Sequence, residues 1–132
     1  MSPHEKEQLV ALLQDARHWC QGAEARNADG RDVTYSAADA AAWDVTGAAC
    51  RLFGLPRARA LFVQIDRHFH NRAAGATHNG DSEITAMVAL QTWNDAAQTT
   101  HAELLTRLQS LPVRPLPARP VAAGDTATEG VV

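Results

Sequence analysis

Apolar residues recur at helical spacing along five stretches of this chain. In the first, Leu9, Leu12, Leu13, Ala16, Trp19, Cys20 and Ala23 form one continuous face, with Gln14, Asp15, Arg17 and His18 opposite. Ser2-Pro3-His4-Glu5 reads as its start: an N-cap, a proline at the first helical position and a glutamate reaching back to the cap. Gly22 marks its end. The second stretch runs from Ser36 to Gly54 and is rich in small side chains. Ala41, Ala42, Val45, Ala48, Ala49, Leu52 and Phe53 line one side of it, and Trp43, Gly47, Cys50 and Gly54 a second. Ser36 with Asp39 three residues on reads as its cap, and Gly54-Leu55-Pro56 as its stop. Apolar on both faces, this helix is predicted to lie in the middle of a bundle. Gly47 costs about 1 kcal/mol against alanine in a helix interior, which predicts close approach of a neighbouring element there.

Pro56 opens a third helix whose buried side is Leu55, Ala58, Leu61, Phe62, Ile65 and Phe69. Ser82 caps a fourth, with Ile84, Met87, Val88 and Trp93 as its apolar positions, and Trp93-Asn94-Asp95 breaks it. Thr100-His101-Ala102-Glu103 is a capping box for a fifth, with Leu104, Leu105, Leu108 and Leu111 as the stripe. Between the first two helices, Glu24 to Tyr35 is a polar connection with an Asp29-Gly30 turn. Val33-Thr34-Tyr35 has strand character but no second strand to join. Residues 73–80 read as a loop. From Pro112 the chain carries four prolines and no packing pattern, so 112–132 is expected to be an extended or disordered Pro/Ala-rich tail. The expectation is all-α: one domain over 1–111, a compact bundle of about five helices, with the second central and the other four packed around it.

Composition sharpens this picture in three ways. With 45% hydrophobic but only 5% aromatic residues, the core must be thin and close-packed, with the three tryptophans as bulky anchors. A net charge of −3, with Lys6 the only lysine, argues against a general nucleic-acid binder. No apolar run reaches membrane-spanning length and none follows a basic start, so the expected compartment is the cytoplasm. Cys20 and Cys50 are then expected reduced and buried as small hydrophobes, although spacing does not exclude a bond between them.

Several constellations suggest chemistry. Asp66, His68, His70 and His78 carry metal-ligand residue types. Residues two apart on a helix point about 200° away from each other, so His68 and His70 cannot share an ion. That leaves Asp66, His70 and His78 as the candidate metal set. As an exposed i,i+4 pair, Asp66 and His70 contribute only about 0.2–0.5 kcal/mol. The glycines of residues 75–82 have phosphate-loop spacing, but Asp81 stands where the lysine belongs, which inverts the charge. Neither cysteine sits at a helix N-terminus or beside a committed cation, as a nucleophilic thiolate requires. Arg51, Arg57, Arg59, Arg67 and Arg72 make the third-helix region basic, either as a solvated face or as a surface for an acidic partner or nucleic acid. Trp93-Asn94-Asp95 either satisfies backbone groups where helices meet, or lines a small pocket with Trp19 or Trp43.

The order of these features resembles an uncharacterised family of short helical proteins of bacteria and their phages, a domain of unknown function. The resemblance is carried by Trp19-Cys20-Gln21-Gly22-Ala23 and the Asp29-Gly30 loop, by Trp43 with Gly47-Ala48 four residues on, and by Trp93-Asn94-Asp95 followed by Thr100-x-x-Glu103. It covers Leu9 to Leu111 and departs in the histidine-bearing third helix and the arginine-proline tail. It implies a compact helical fold and assigns no catalytic residues or cofactor. The expected function is therefore a non-enzymatic interaction or small-ligand-binding protein, whose partner is another protein or a second copy. The alternatives are a metal-binding protein or metal-dependent hydrolase using Asp66, His70 and His78, or a regulator binding nucleic acid or an acidic partner through the arginines.

Overall fold

Ser2 caps the first helix as its sequence dictates. Its hydroxyl accepts the Glu5 N–H at 3.1 Å, the Glu5 carboxylate accepts the Ser2 N–H at 2.9 Å, and Pro3 sits in the first turn. The computed structural model describes residues 1–71 and 82–114 of the chain. The loop expected over 73–80, with His78 and Arg72, and the tail from Pro115 lie outside the described residues. In chain order the elements are α1 (Pro3–Leu13), a 3₁₀ turn (Ala16–His18), β1 (Ala25–Asn27), β2 (Ala40–Trp43), α2 (Val45–Phe53), α3 (Leu55–Phe69), α4 (Glu83–Asp95) and α5 (His101–Gln109). The described fold is thus mostly helical, with five α-helices, but not purely so.

Three sequence expectations need correction. The first helix stops at Leu13 rather than running to Gly22. Asp15 takes an extended backbone and its carboxylate accepts the Arg17 N–H at 2.9 Å, so the chain turns once and leaves. Trp19 and Cys20 are no longer helical, and Cys20 N–H donates to the Trp43 carbonyl at 3.1 Å. The second helix begins at Val45, not Ser36. Its cap is Asp44, whose carboxylate accepts the Gly47 N–H at 2.5 Å from an extended backbone at φ −78°, ψ 179°. A helix cannot pass through a residue in that conformation, so the alanines before it are released. Ala40–Trp43 instead pairs antiparallel with Ala25–Asn27, in the register Ala25 to Trp43 and Arg26 to Ala42, with an irregularity before Asn27. High helix propensity loses here to a cap and to pairing partners far away in sequence. Val33, whose segment was expected to lack a partner, donates its N–H to Ala25 at 3.1 Å.

The third correction concerns α4. Its buried positions are Ala86, Leu90 and Asn94, whereas Ile84 and Val88 are 62% and 51% exposed. The helix carries apolar residues on two faces, and the sequence does not say which one meets the core.

The second helix is central, as expected. Val45 through Cys50 are all buried, and α2 packs against α1, α3 and α4, which makes it the central helix. The fifth helix packs chiefly on α1 rather than on α2. Gly54 alone separates α2 from α3, at φ 80° and ψ 155°, and ends one helix while Pro56 starts the next. The core is built from Leu9 and Leu13 of α1, Leu61, Phe62 and Ile65 of α3, Leu90 of α4, and Leu104 and Leu108 of α5, all fully buried. Each contributes about 1.5–3 kcal/mol of transfer free energy.

Candidate functional site

Asn94 is the best-connected polar side chain of the described fold, and it is completely buried. Its Oδ1 accepts from the Trp19 indole N–H at 2.7 Å and from the Val45 backbone N–H at 3.2 Å. Its Nδ2 donates to the Cys20 carbonyl at 3.1 Å and to Asp95 Oδ1 at 2.9 Å. A primary amide has two donors and two acceptor lone pairs, so all four are used. Asp95 Oδ1 also takes the Gly22 N–H at 2.9 Å. Gln21 Nε2 reaches the carbonyls of Asn94 and Ala96 at 2.8 and 3.0 Å. The segment released from α1 is thereby fastened to the end of α4 and to the first turn of α2.

Of the residues considered for a pocket, Trp19, Asn94 and Asp95 come together in this network. The Trp43 ring is held elsewhere: its indole N–H donates to the Tyr35 carbonyl at 3.1 Å, and the Arg51 guanidinium lies 5.5 Å from its centroid. Trp93 turns to the other side of α4, edge-to-face on Phe69 at 4.8 Å, with Arg107 at 5.3 Å.

Beside the network sits Asp44, only 2% exposed. Burial pushes its carboxyl up to about 7. The Gly47 N–H and the Thr46 hydroxyl pull it down, and the Asp95 and Glu24 carboxylates push it further up. An unfolded aspartate titrates near ~4. Because the folded value is raised, the folded state holds this proton more tightly. That stabilisation is complete below about pH 4 and is lost as pH rises through about 7. Asp44→Asn keeps the cap acceptor without the charge. Urea denaturation is expected to show it gaining on the wild type by about 1–3 kcal/mol between pH 5 and pH 8. A difference that stays constant with pH would contradict this.

Asp66 and His70 are in contact at 2.7 Å between Oδ1 and Nδ1, but Asp66 is buried rather than exposed as expected. His78, the third residue of the candidate metal set, lies outside the described residues. Among the described residues, no group of three or more His, Cys, Asp or Glu is arranged to hold a metal ion. His68 is engaged with the Ser110 hydroxyl at 2.8 Å. Both cysteines are free thiols, and burial pushes each up to about 11, so neither is a thiolate near neutral pH. Of the five arginines of the third-helix region, Arg72 lies outside the described residues and two have internal partners. Arg57 forks onto Glu5 at 2.7 and 2.8 Å, and Arg51 donates to the Ala37 carbonyl at 3.1 Å. No helix among the described residues is long and apolar enough to cross a membrane.

Sequence reasoning missed a cleft of about 240 Å³ between α2, α3 and α4. Cys50, Phe62 and Met87 form its floor, and Glu24, Arg59 and Glu83 stand on its rim. Ile84 completes one wall and leads along α4 to Val88. The signal was present as a second apolar stripe on α4, but it read as core.

The profile of a family of unknown function, DUF6197, matches residues 7–111, and the chain belongs to that family. No curated protein and no solved structure matches the chain.

Proposed function

We propose that this DUF6197 member is a non-enzymatic interaction module that docks a partner protein on the α2–α3–α4 cleft and the adjoining Ile84–Val88 ridge. The observation that carries the reading is a small apolar cleft beside two large aliphatic side chains left in solvent. At about 240 Å³ the cleft falls below the ~300–1,000 Å³ of small-molecule sites and has room for one large side chain. Scattered single apolar residues need no explanation, but a pair one helical turn apart, next to an apolar cavity, marks a contact surface.

The ionisable groups support the same reading. Cys50 is protonated near neutral pH, and the Glu24 carboxylate is engaged with the Tyr35 N–H at 2.8 Å. Neither is poised for acid–base or nucleophilic chemistry.

Site-specific photo-crosslinking in cells of the source organism tests the proposal. A benzophenone amino acid at position 88 is expected to yield a discrete UV-dependent adduct, and the same probe at exposed His4 is expected to yield none. Equal labelling from both positions, or none from position 88, would refute it.

A further inference from the structure

Resting on the reading of the cleft as a docking surface, we infer that the partner is a second copy of this chain. The two copies sit two-fold across the cleft, with Ile84 of each protomer in the other's cleft and Glu83 of each paired with Arg59 of the other.

A two-fold interface requires one patch to carry both halves of every contact, because residue i meets j while j meets i. This patch does so twice. Its apolar half is a hole floored by Cys50, Phe62 and Met87, and the matching knob, Ile84, stands on the same rim at 62% exposure. Its charged half is Arg59 and Glu83, which line the same cleft. Both are exposed, and among the described residues neither makes a hydrogen bond or an ion pair. Two other arginines are committed internally: Arg57 to Glu5, and Arg107 to Glu103 and the Phe69 carbonyl.

In the inferred dimer the axis lies beside the first turn of α4, where Ile84 and Glu83 stand, and Val88, one turn on, lies next to the contact. Burying Ile84 and Val88 supplies the affinity, since apolar area removed from water is the driving term. The two rim ion pairs set register and exclude other partners more than they add strength. A different protein would need the same chemistry, an aliphatic knob flanked by one acid and one base. The second copy already carries it.

Sedimentation equilibrium of the full chain from about 1 to about 200 μM is expected to show a reversible dimer, because self-association follows mass action. Ile84→Asp is expected to weaken it at least about tenfold by placing a charge in the apolar cleft. Circular dichroism should match the wild type, since this side chain is not part of the core. Arg59→Glu and Glu83→Arg are each expected to weaken the dimer by facing like charges across the axis. The double exchange is expected to recover wild-type affinity within about threefold.

The inference is overturned by a wild type that stays monomeric over the whole range, by an Ile84→Asp dimer as tight as the wild type, or by a double exchange no better than either single variant. A monomer that still crosslinks from position 88 to another protein overturns the dimer and leaves the interaction-module reading standing. A protein that neither dimerises nor crosslinks overturns both.

Discussion

Gly47→Ala is expected to destabilise the fold by about 3 kcal/mol or more, although alanine is the better helix former by about 1 kcal/mol. A Cβ at position 47 would lie 2.0 Å from the Glu24 carbonyl oxygen and 3.0 Å from both the Glu24 carbonyl carbon and Asp44 Oδ1. The obstructing atom belongs to the backbone, so no rotamer change relieves it. That same carbonyl accepts the Asp44 N–H at 3.1 Å, so the segment leading into β1 can retreat only by losing this bond and disturbing the cap of α2. Gly54 provides the contrast. A Cβ there meets nothing within 4 Å, and only its φ of +80° is unfavourable. Gly54→Ala is therefore expected to cost about 1–2 kcal/mol. Urea denaturation of both variants separates the two causes. A Gly47→Ala protein as stable as the wild type would mean that α2 and the Glu24 backbone do not pack this closely.

Asn94→Ala is expected to cost about 3–5 kcal/mol, enough to remove a large part of the stability of a domain of this size. The truncation strips partners from the Trp19 indole N–H, the Val45 N–H and the Cys20 carbonyl at once, and leaves a cavity where a fully buried side chain stood. Each orphaned group costs about 1–3 kcal/mol when water cannot reach it. Asn94→Asp preserves the shape but turns two donors into an acceptor that faces the Cys20 carbonyl and Asp95 Oδ1. It too is expected to be severely destabilised at pH 7, with part of the loss recovered at low pH, where a protonated aspartate again offers one donor. Gln21→Ala, which removes one half-buried amide nitrogen whose two N–H groups are shared among carbonyls, is expected to lose about 1 kcal/mol. Thermal denaturation followed by circular dichroism ranks the three. If Asn94→Ala melted within a few degrees of the wild type, the amide would not be the link between the three segments.

These expectations also show where the chain was readable. Ser2, Ser82 and Thr100 each accept the backbone N–H three residues on, as their local sequences require. Leu104, Leu108 and Leu111 bury at the spacing that defines their stripe. A close neighbour for Gly47 followed from the propensity cost alone, and the Glu24 carbonyl is that neighbour. The first half of the expected central helix is a strand instead, because an alanine-rich sequence that fits the helical pattern can equally pair as a strand. What decided the matter was Asp44, a capping residue inside the run, together with the pairing of Ala40–Trp43 to a segment more than a dozen residues earlier. The candidate cleft was hidden for a related reason. Periodicity shows that a helix has apolar positions, but on α4 two stripes compete, and only packing against α3 and α2 selects Ala86 and Leu90 for the core.

By itself, then, the sequence determined the caps at Ser2, Ser82 and Thr100, the break at Gly54, the number of helices and the tight spot at Gly47, because each depends on interactions within a few residues. The tertiary structure alone decided the strand pair, the saturation of the Asn94 amide and the exposure of Ile84 and Val88. Each of these depends on which distant backbone or side chain arrives first to satisfy a polar group or cover an apolar one, and contacts across 49 or 75 residues leave no periodicity to read.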